Sequence, residues 1–324
     1  MTERRGFAGL GRFHRVLVPT ALNPILELEF RARMRRNRTV LLLLGYTGAV
    51  AALFLLAVVL SGVTDPARAG AAAYEITWII FQVLMLAELV LIGAVAGATG
   101  AGSISGERER QTWEVLLVTK LPAWRVVTGK LLAAVALALW LVVASLPVFL
   151  PLFRFNAVQP DALVRLLIHF TVSALAWAAL GLFFSTVLRR TVAAVIATYG
   201  VAMAWVAFTL LARPVLDALN PPGPQAGAVS PRPLGPLAVE LASPVLSLLY
   251  ALRSPVIEAW NWIAGAIVLG RGSLPPPGVR LTTAARVAGL LGPDGYFWVY
   301  VLWTLAFTVL LVVATTRLIA RRRA

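Results

Sequence analysis

The sequence has 324 residues, of which 60% are hydrophobic and 13% charged, and its formal net charge is +15 at pH 7. A soluble domain is about 45–50% apolar and about 25% charged, so this composition excludes an ordinary soluble protein and indicates a polytopic membrane protein. The absence of cysteine excludes disulfide bonds, thiolate catalysis and cysteine-bound metals. The positive charge follows the positive-inside rule, so we expect no nucleic-acid partner.

The first 38 residues form a basic segment that carries nine arginines. Asn23-Pro24 is typical of a helix start. Glu27 and Glu29 follow near that end, and arginines lie toward the other, as the helix dipole favours. We predict an interfacial helix on the cytoplasmic leaflet, held partly by anionic lipid; a solvated basic tail is the alternative. The first apolar run begins only near Val40, so we expect the N-terminus to be retained.

Six apolar segments are long enough for the ~20 residues that a helix needs to cross a bilayer. They lie at residues 40–60, 76–101, 126–150, 162–187, 192–212 and 295–318. Twenty of the 29 Lys and Arg residues fall on one side of these segments. This predicts a multi-pass protein of the plasma or inner membrane with both termini cytoplasmic. The predicted fold is all-α, with one transmembrane domain over residues 39–324.

Residues 213–294 interrupt this pattern, because they contain thirteen of the twenty prolines, which no continuous span tolerates. Two shorter apolar pieces lie between the proline clusters, within residues 244–269. We predict an external loop whose helices dip into the outer leaflet and return before the sixth span. An additional pair of spans is the alternative.

A charged segment, residues 102–125, separates the second and third spans. Its first charges alternate in sign from Glu107 to Arg110. Trp113, Leu116 and Leu117 follow at three- and four-residue spacing and give a short helix one apolar face. Such a helix suits insertion into a groove on a partner protein. An interfacial loop whose Trp and Leu side chains face lipid fits the same residues.

This segment resembles the corresponding part of type-2 ABC exporter permeases, where the pattern is close to E-R-E-x-G-T-hydrophobic-E-x-L-L-x-T-P. The matching residues are Glu107, Arg108, Glu109, Thr112, Trp113, Glu114, Leu116, Leu117 and Thr119. Gly129-Lys130 resembles the glycine-lysine pair at the start of that family's third span. Gln111 stands where glycine is usual, and Pro122 lies two positions late.

The resemblance implies a coupling helix that docks on a cytoplasmic ABC ATP-binding subunit, together with a second permease copy or a sibling permease. In that role the apolar residues form the docking ridge and the charged residues fix its orientation. ATP and Mg²⁺ would be bound by the partner, because the phosphate-binding signature G-x-x-x-x-G-K-[ST] is absent here: Leu131 follows Gly129-Lys130. The transported substrate is not indicated.

Two titratable residues fall at membrane depth. Glu88 lies near the middle of the second span, where an acidic residue costs roughly 2.5–3.5 kcal/mol, and His169 lies about two turns into the fourth span. Either residue could line a translocation path, with Glu88 binding a cation or a proton. Alternatively, Glu88 is a buried carboxylate satisfied by a neighbouring helix, through Gln82 or a Thr or Ser group, and His169 is a structural or interfacial residue. Glycines recur at intervals of four or five residues beyond Glu88 and would allow close helix packing; they are Gly93, Gly97, Gly102 and Gly106.

Other function classes have weaker support. The sequence contains neither H-E-x-x-H nor G-x-S-x-G, so we predict no catalytic residues and no metal site. A membrane-embedded, lipid-modifying transferase is one alternative, and its acidic cluster would have to be that of the charged segment. A secondary transporter is the other, but it would show broken helices and inverted halves.

Overall fold

The computed structural model describes residues 37–61, 71–113, 121–153, 160–219, 242–252 and 295–321. These ranges contain seven helices: α1 Asn37–Ser61, α2 Ala71–Glu109, α3 Ala123–Phe153, α4 Pro160–Val187, α5 Thr191–Leu219, α6 Pro244–Ala251 and α7 Gly295–Arg321. The predicted all-α membrane fold is confirmed. The predicted interfacial helix in residues 1–38 lies outside the described residues.

Five helices, α2 to α5 and α7, are long and apolar enough to cross a membrane. Helix α1, at the first predicted span, has 25 residues, although its described apolar stretch, Leu44–Leu56, is shorter. Helix α2 continues beyond residue 101 to Glu109, because its last two turns pack against α4 instead of leaving the bundle. Of residues 213–294 the structure describes the end of α5, residues 242–243, the eight-residue α6 and Leu252.

Helices α2 and α4 form the centre of the bundle and pack against each other along much of their length. Helices α3 and α5 contact both of them, α1 lies against α2 and α3, and α7 lies against α3 and α4. Helix α6 is too short to cross a bilayer by itself and packs on α4, α5 and α7. Van der Waals contact and hydrogen bonds must hold such a bundle together, because lipid tails are as apolar as its side chains.

Helices α2 and α4 approach each other closely where they cross at Gly100 and Gly181. A Cβ atom added at Gly181 would overlap the Gly97 carbonyl oxygen and would lie 2.6 Å from the Ala101 nitrogen. A Cβ atom added at Gly100 would overlap the Ala178 carbonyl oxygen. The two backbones are therefore in direct contact, which only glycine allows at this spacing.

Candidate functional site

The segment predicted to be cytoplasmic and to couple the protein to a partner begins where α2 ends. The chain leaves α2 through a Schellman motif: the Thr112 N–H donates to the Glu107 carbonyl at 2.9 Å, and the Gln111 N–H donates to the Arg108 carbonyl at 3.0 Å. Gln111 has a φ of 60°, the left-handed conformation that this motif requires. The position at which glycine is usual in the resembled pattern is therefore the one with positive φ.

Glu107 connects the end of α2 to α3. Its Oε1 lies 2.6 Å from Lys130 Nζ, and Lys130 also donates to the Ser103 carbonyl at 3.2 Å. The Lys130 side chain is only 1% exposed, whereas the Glu107 side chain is 28% exposed. The ion pair therefore bridges two neighbouring helices at the edge of the bundle.

Arg108 connects the same turn to the end of α4. Its Nη2 donates to the Thr186 carbonyl at 3.0 Å, and its Nη1 donates to the Leu188 carbonyl at 3.2 Å. Carbonyl groups in the last turn of a helix lack intrahelical partners, so the guanidinium satisfies two of these acceptors. Glu109 reaches the next helix, because its Oε1 accepts the N–H of Thr191, the first residue of α5, at 2.7 Å.

Trp113 is 6% exposed and belongs to the hydrophobic core of this chain. The Arg108 guanidinium lies 5.5 Å from the centre of its ring, within the range of a cation–π contact. The structure thus places Trp113 against its own bundle. Glu114, Leu116 and Leu117, the other residues of the predicted docking helix, lie outside the described residues, and their role stays a prediction.

A serine that the sequence analysis did not single out joins α4 to α2 just before this turn. Ser185 Oγ accepts the backbone N–H groups of Ile104 and Ser105 at 2.9 and 2.8 Å. It is fully buried, as is Ser105. Lys130 and Ser185 were not predicted as site residues, because each of them contacts residues that are distant from it in sequence.

Glu88 is fully buried and contacts helices on both sides of α2. Its Oε1 accepts a hydrogen bond from Ser145 Oγ of α3 at 2.7 Å, and the Tyr46 hydroxyl of α1 faces the same carboxyl group. Glu88 therefore joins α1, α2 and α3. A role in a translocation path stays a prediction.

His169 is also fully buried, but it faces a different helix. Its ring stacks on that of Tyr300 of α7, with 4.8 Å between the ring centres, and the Tyr300 hydroxyl lies 2.8 Å from Ser173 Oγ. The structure therefore brings His169 next to α7 and Glu88 next to α1 and α3. Within the described ranges, no group of three or more His, Asp and Glu residues could hold a metal ion.

A cavity of about 290 Å³ lies among α4, α5, α6 and α7. Its lining is almost entirely apolar and includes five aromatic residues, Trp177, Trp205, Tyr300, Trp303 and Phe307. The Trp205 indole N–H donates to the Ala242 carbonyl at 3.3 Å, which joins α5 to the residues before α6. Neither Glu88 nor His169 lines this cavity.

Comparison with known proteins gives one family match. The family model described as "ABC-2 family transporter protein" matches residues 23–322, which covers every helix described above. A search of curated protein sequences gives no significant match.

Proposed function

This chain belongs to the ABC-2 transporter family and is a permease subunit of an ABC transporter, and from this premise we propose that it exports a substrate using ATP hydrolysed by a separately encoded subunit. The family match favours this function over a lipid-modifying transferase or a secondary transporter. ATP and Mg²⁺ bind to the partner, and a second permease copy or a sibling permease completes the transporter.

The observation that carries the proposal is the position of the three charged residues at the end of α2. Glu107, Arg108 and Glu109 contact α3, α4 and α5, respectively. They immediately precede the α2–α3 connection, residues 110–122, which holds most of the residues that resemble a coupling helix. A displacement of this connection is therefore passed to four membrane-spanning helices at once.

The transport cycle follows from this arrangement. ATP closes two ATP-binding subunits on each other, and each one moves the α2–α3 connection that docks on it. The helices joined at the end of α2 then shift as rigid elements, which changes the balance between inward-open and outward-open states. With both termini cytoplasmic, the α2–α3 connection faces the compartment that holds the ATP-binding subunits.

Co-expression with the ATP-binding subunit encoded by a neighbouring reading frame tests the proposal. We expect the two chains to co-purify and the complex to hydrolyse ATP in lipid nanodiscs. Replacing both ridge residues, Leu116→Asp and Leu117→Asp, should abolish co-purification. Each buried leucine contributes about 1.5–3 kcal/mol, so each change should weaken the complex about tenfold or more.

Arg189→Asp is the control, because Arg189 is an exposed residue of the short α4–α5 connection on the same side of the bundle. This variant should bind the ATP-binding subunit like the unmodified chain. The docking assignment is wrong if the Leu116/Leu117 double variant co-purifies and supports ATP hydrolysis as the control does. The proposed function is wrong if no ATP-binding subunit associates with the unmodified chain.

A further inference from the structure

Lys130 is a buried cation that neither the sequence analysis nor the family match assigns to a site. It lies two turns into α3 and is 1% exposed. Both of its hydrogen-bond acceptors described above, Glu107 Oε1 and the Ser103 carbonyl, belong to α2. A buried charge is tolerated only when it is paired and hydrogen-bonded. The position of Lys130 therefore depends on contact with α2.

The pair lies at the base of the α2–α3 connection. Glu107 precedes the connection on α2, and Lys130 follows it on α3, so the bond between them closes a loop of the chain. Closing a loop restricts the separation of its two ends. As long as the ion pair is formed, a displacement of the connection therefore moves α2 and α3 together.

The other contacts of the α2 terminus differ from this one. Helix α4 is fixed to α2 by the glycine crossing, by Ser185 Oγ and by the Arg108 guanidinium. Toward its cytoplasmic end, α2 contacts α3 through the Lys130 ammonium, which bonds to both Glu107 and the Ser103 carbonyl. Breaking it would leave a charge at a buried position, which is costly in a low-dielectric interior.

We propose that Lys130 is a positioning residue for coupling: its ion pair with Glu107 stays closed during the cycle and makes the cytoplasmic ends of α2 and α3 move as one unit. The inference rests on the proposed function. It adds a residue of the third span to the transmission element and predicts a rigid base, not a contact that opens with each turnover.

The first test uses this chain alone in nanodiscs. Because the sequence contains no cysteine, Arg110→Cys and Arg125→Cys place two spin labels specifically, at exposed positions on either side of the connection. We expect a narrow distribution of label-to-label distances by pulsed electron paramagnetic resonance. Lys130→Met should broaden that distribution, and Arg189→Met, which removes an exposed cation nearby, should leave it unchanged.

Lys130→Met could also weaken folding, because it leaves the Glu107 carboxylate without its cation. The double variant Glu107→Leu/Lys130→Met removes both charges and avoids that penalty. We expect it to purify as the unmodified chain does and still to show the broadened distribution. A distribution as narrow as that of the unmodified chain would overturn the proposal.

The second test uses the complex with the ATP-binding subunit. In the unmodified chain ATP should leave the label-to-label distance unchanged, because α2 and α3 move together; in the double variant ATP should shift or further broaden that distance. In the Glu107→Cys/Lys130→Cys variant, ATP hydrolysis should be the same with a reversible cross-link formed and with it reduced. If the cross-link stops hydrolysis and its reduction restores it, the pair opens in the cycle and the proposal is wrong. If the chain alone gives the expected label-to-label distances but binds no ATP-binding subunit, the proposed function is wrong, whereas the linkage of α2 to α3 by the ion pair is still supported.

Discussion

At the scale of single residues, Gln111 has a backbone conformation that suits glycine better. A side chain with a Cβ atom in the left-handed region costs roughly 1–2 kcal/mol, and glycine at this position of a Schellman motif avoids that cost. Gln111 is the one non-glycine residue with positive φ in the described part of the chain. The departure from the resembled pattern at this position therefore has an energetic cost but does not prevent the turn.

Gln111→Gly should raise the free energy of unfolding by about 1 kcal/mol, because it removes this strain. Thermal unfolding of the purified chain in nanodiscs, followed by tryptophan fluorescence, measures the change. Arg110→Gly is the matched control, because Arg110 does not have a positive φ. Glycine there only raises the conformational entropy of the unfolded chain and should destabilise the protein by about 0.5–1 kcal/mol. Equal effects of the two changes would contradict the role of the φ angle.

At the scale of the helices, α2 and α4 pack so closely that their backbones are in direct contact. The sequence predicts close packing at the glycine series that runs from Gly93 to Gly106 at intervals of four or five residues. The structure shows that a Cβ atom at Gly93 would lie 3.1 Å from the Trp177 ring, whereas the backbones themselves meet at Gly100 and Gly181. Neither of these two glycines belongs to the predicted series, because the register of α4 against α2 is not a property of one helix.

Gly181→Ala should force α2 and α4 apart, since the added methyl group has no space beside the Gly97 and Ala101 backbones. Overpacking of this kind costs about 1–3 kcal/mol, which should appear as a lower unfolding temperature. Gly200→Ala is the control, because a Cβ atom there meets nothing within 4 Å. It should be neutral or stabilising by about 0.5–1 kcal/mol. A Gly181→Ala variant as stable as Gly200→Ala would show that the crossing is looser than described.

At the scale of the whole molecule, α5 and α7 have the smallest buried share among the five helices that are long and apolar enough to cross a membrane. Trp303 of α7 is 51% exposed and Trp205 of α5 is 40% exposed, and both lie at the rim of the aromatic cavity. In a bilayer these surfaces meet lipid tails, which are as apolar as the side chains themselves.

Lipids with brominated acyl chains should therefore quench Trp303. Trp303→Phe should reduce the quenchable part of the tryptophan fluorescence, whereas Trp113→Phe should not, because Trp113 is 6% exposed and packs inside the bundle. The measurement is steady-state fluorescence in nanodiscs with and without bromine. Unchanged quenching in Trp303→Phe would show that another protein surface covers this side of the molecule.

The sequence predicts the helices of this fold well, because each membrane span is a local property of about 20 apolar residues. It also indicates Glu107, Arg108 and Glu109, which stand together in one short pattern. It includes Lys130 only as part of the glycine-lysine pair that resembles the family. It indicates neither the ion pair of Lys130 nor Ser185, because the α2 residues that they contact are distant along the chain. Trp113, which the sequence predicts on the docking ridge, packs against its own bundle, and hydrophobic spacing alone does not tell which protein covers an apolar face.

The order of the adjacent charges Arg108 and Glu109 matches the helix ends that the two side chains contact. Arg108 lies at the C-terminus of α4, where the helix dipole is negative, and Glu109 lies at the N-terminus of α5, where the dipole is positive. Each charge is thus complementary to the helix end that it meets. Exchanging the two residues would preserve the composition and the net charge, yet it would set both charges against dipoles of their own sign. The direction in which α4 and α5 run therefore determines that arginine comes first and glutamate second.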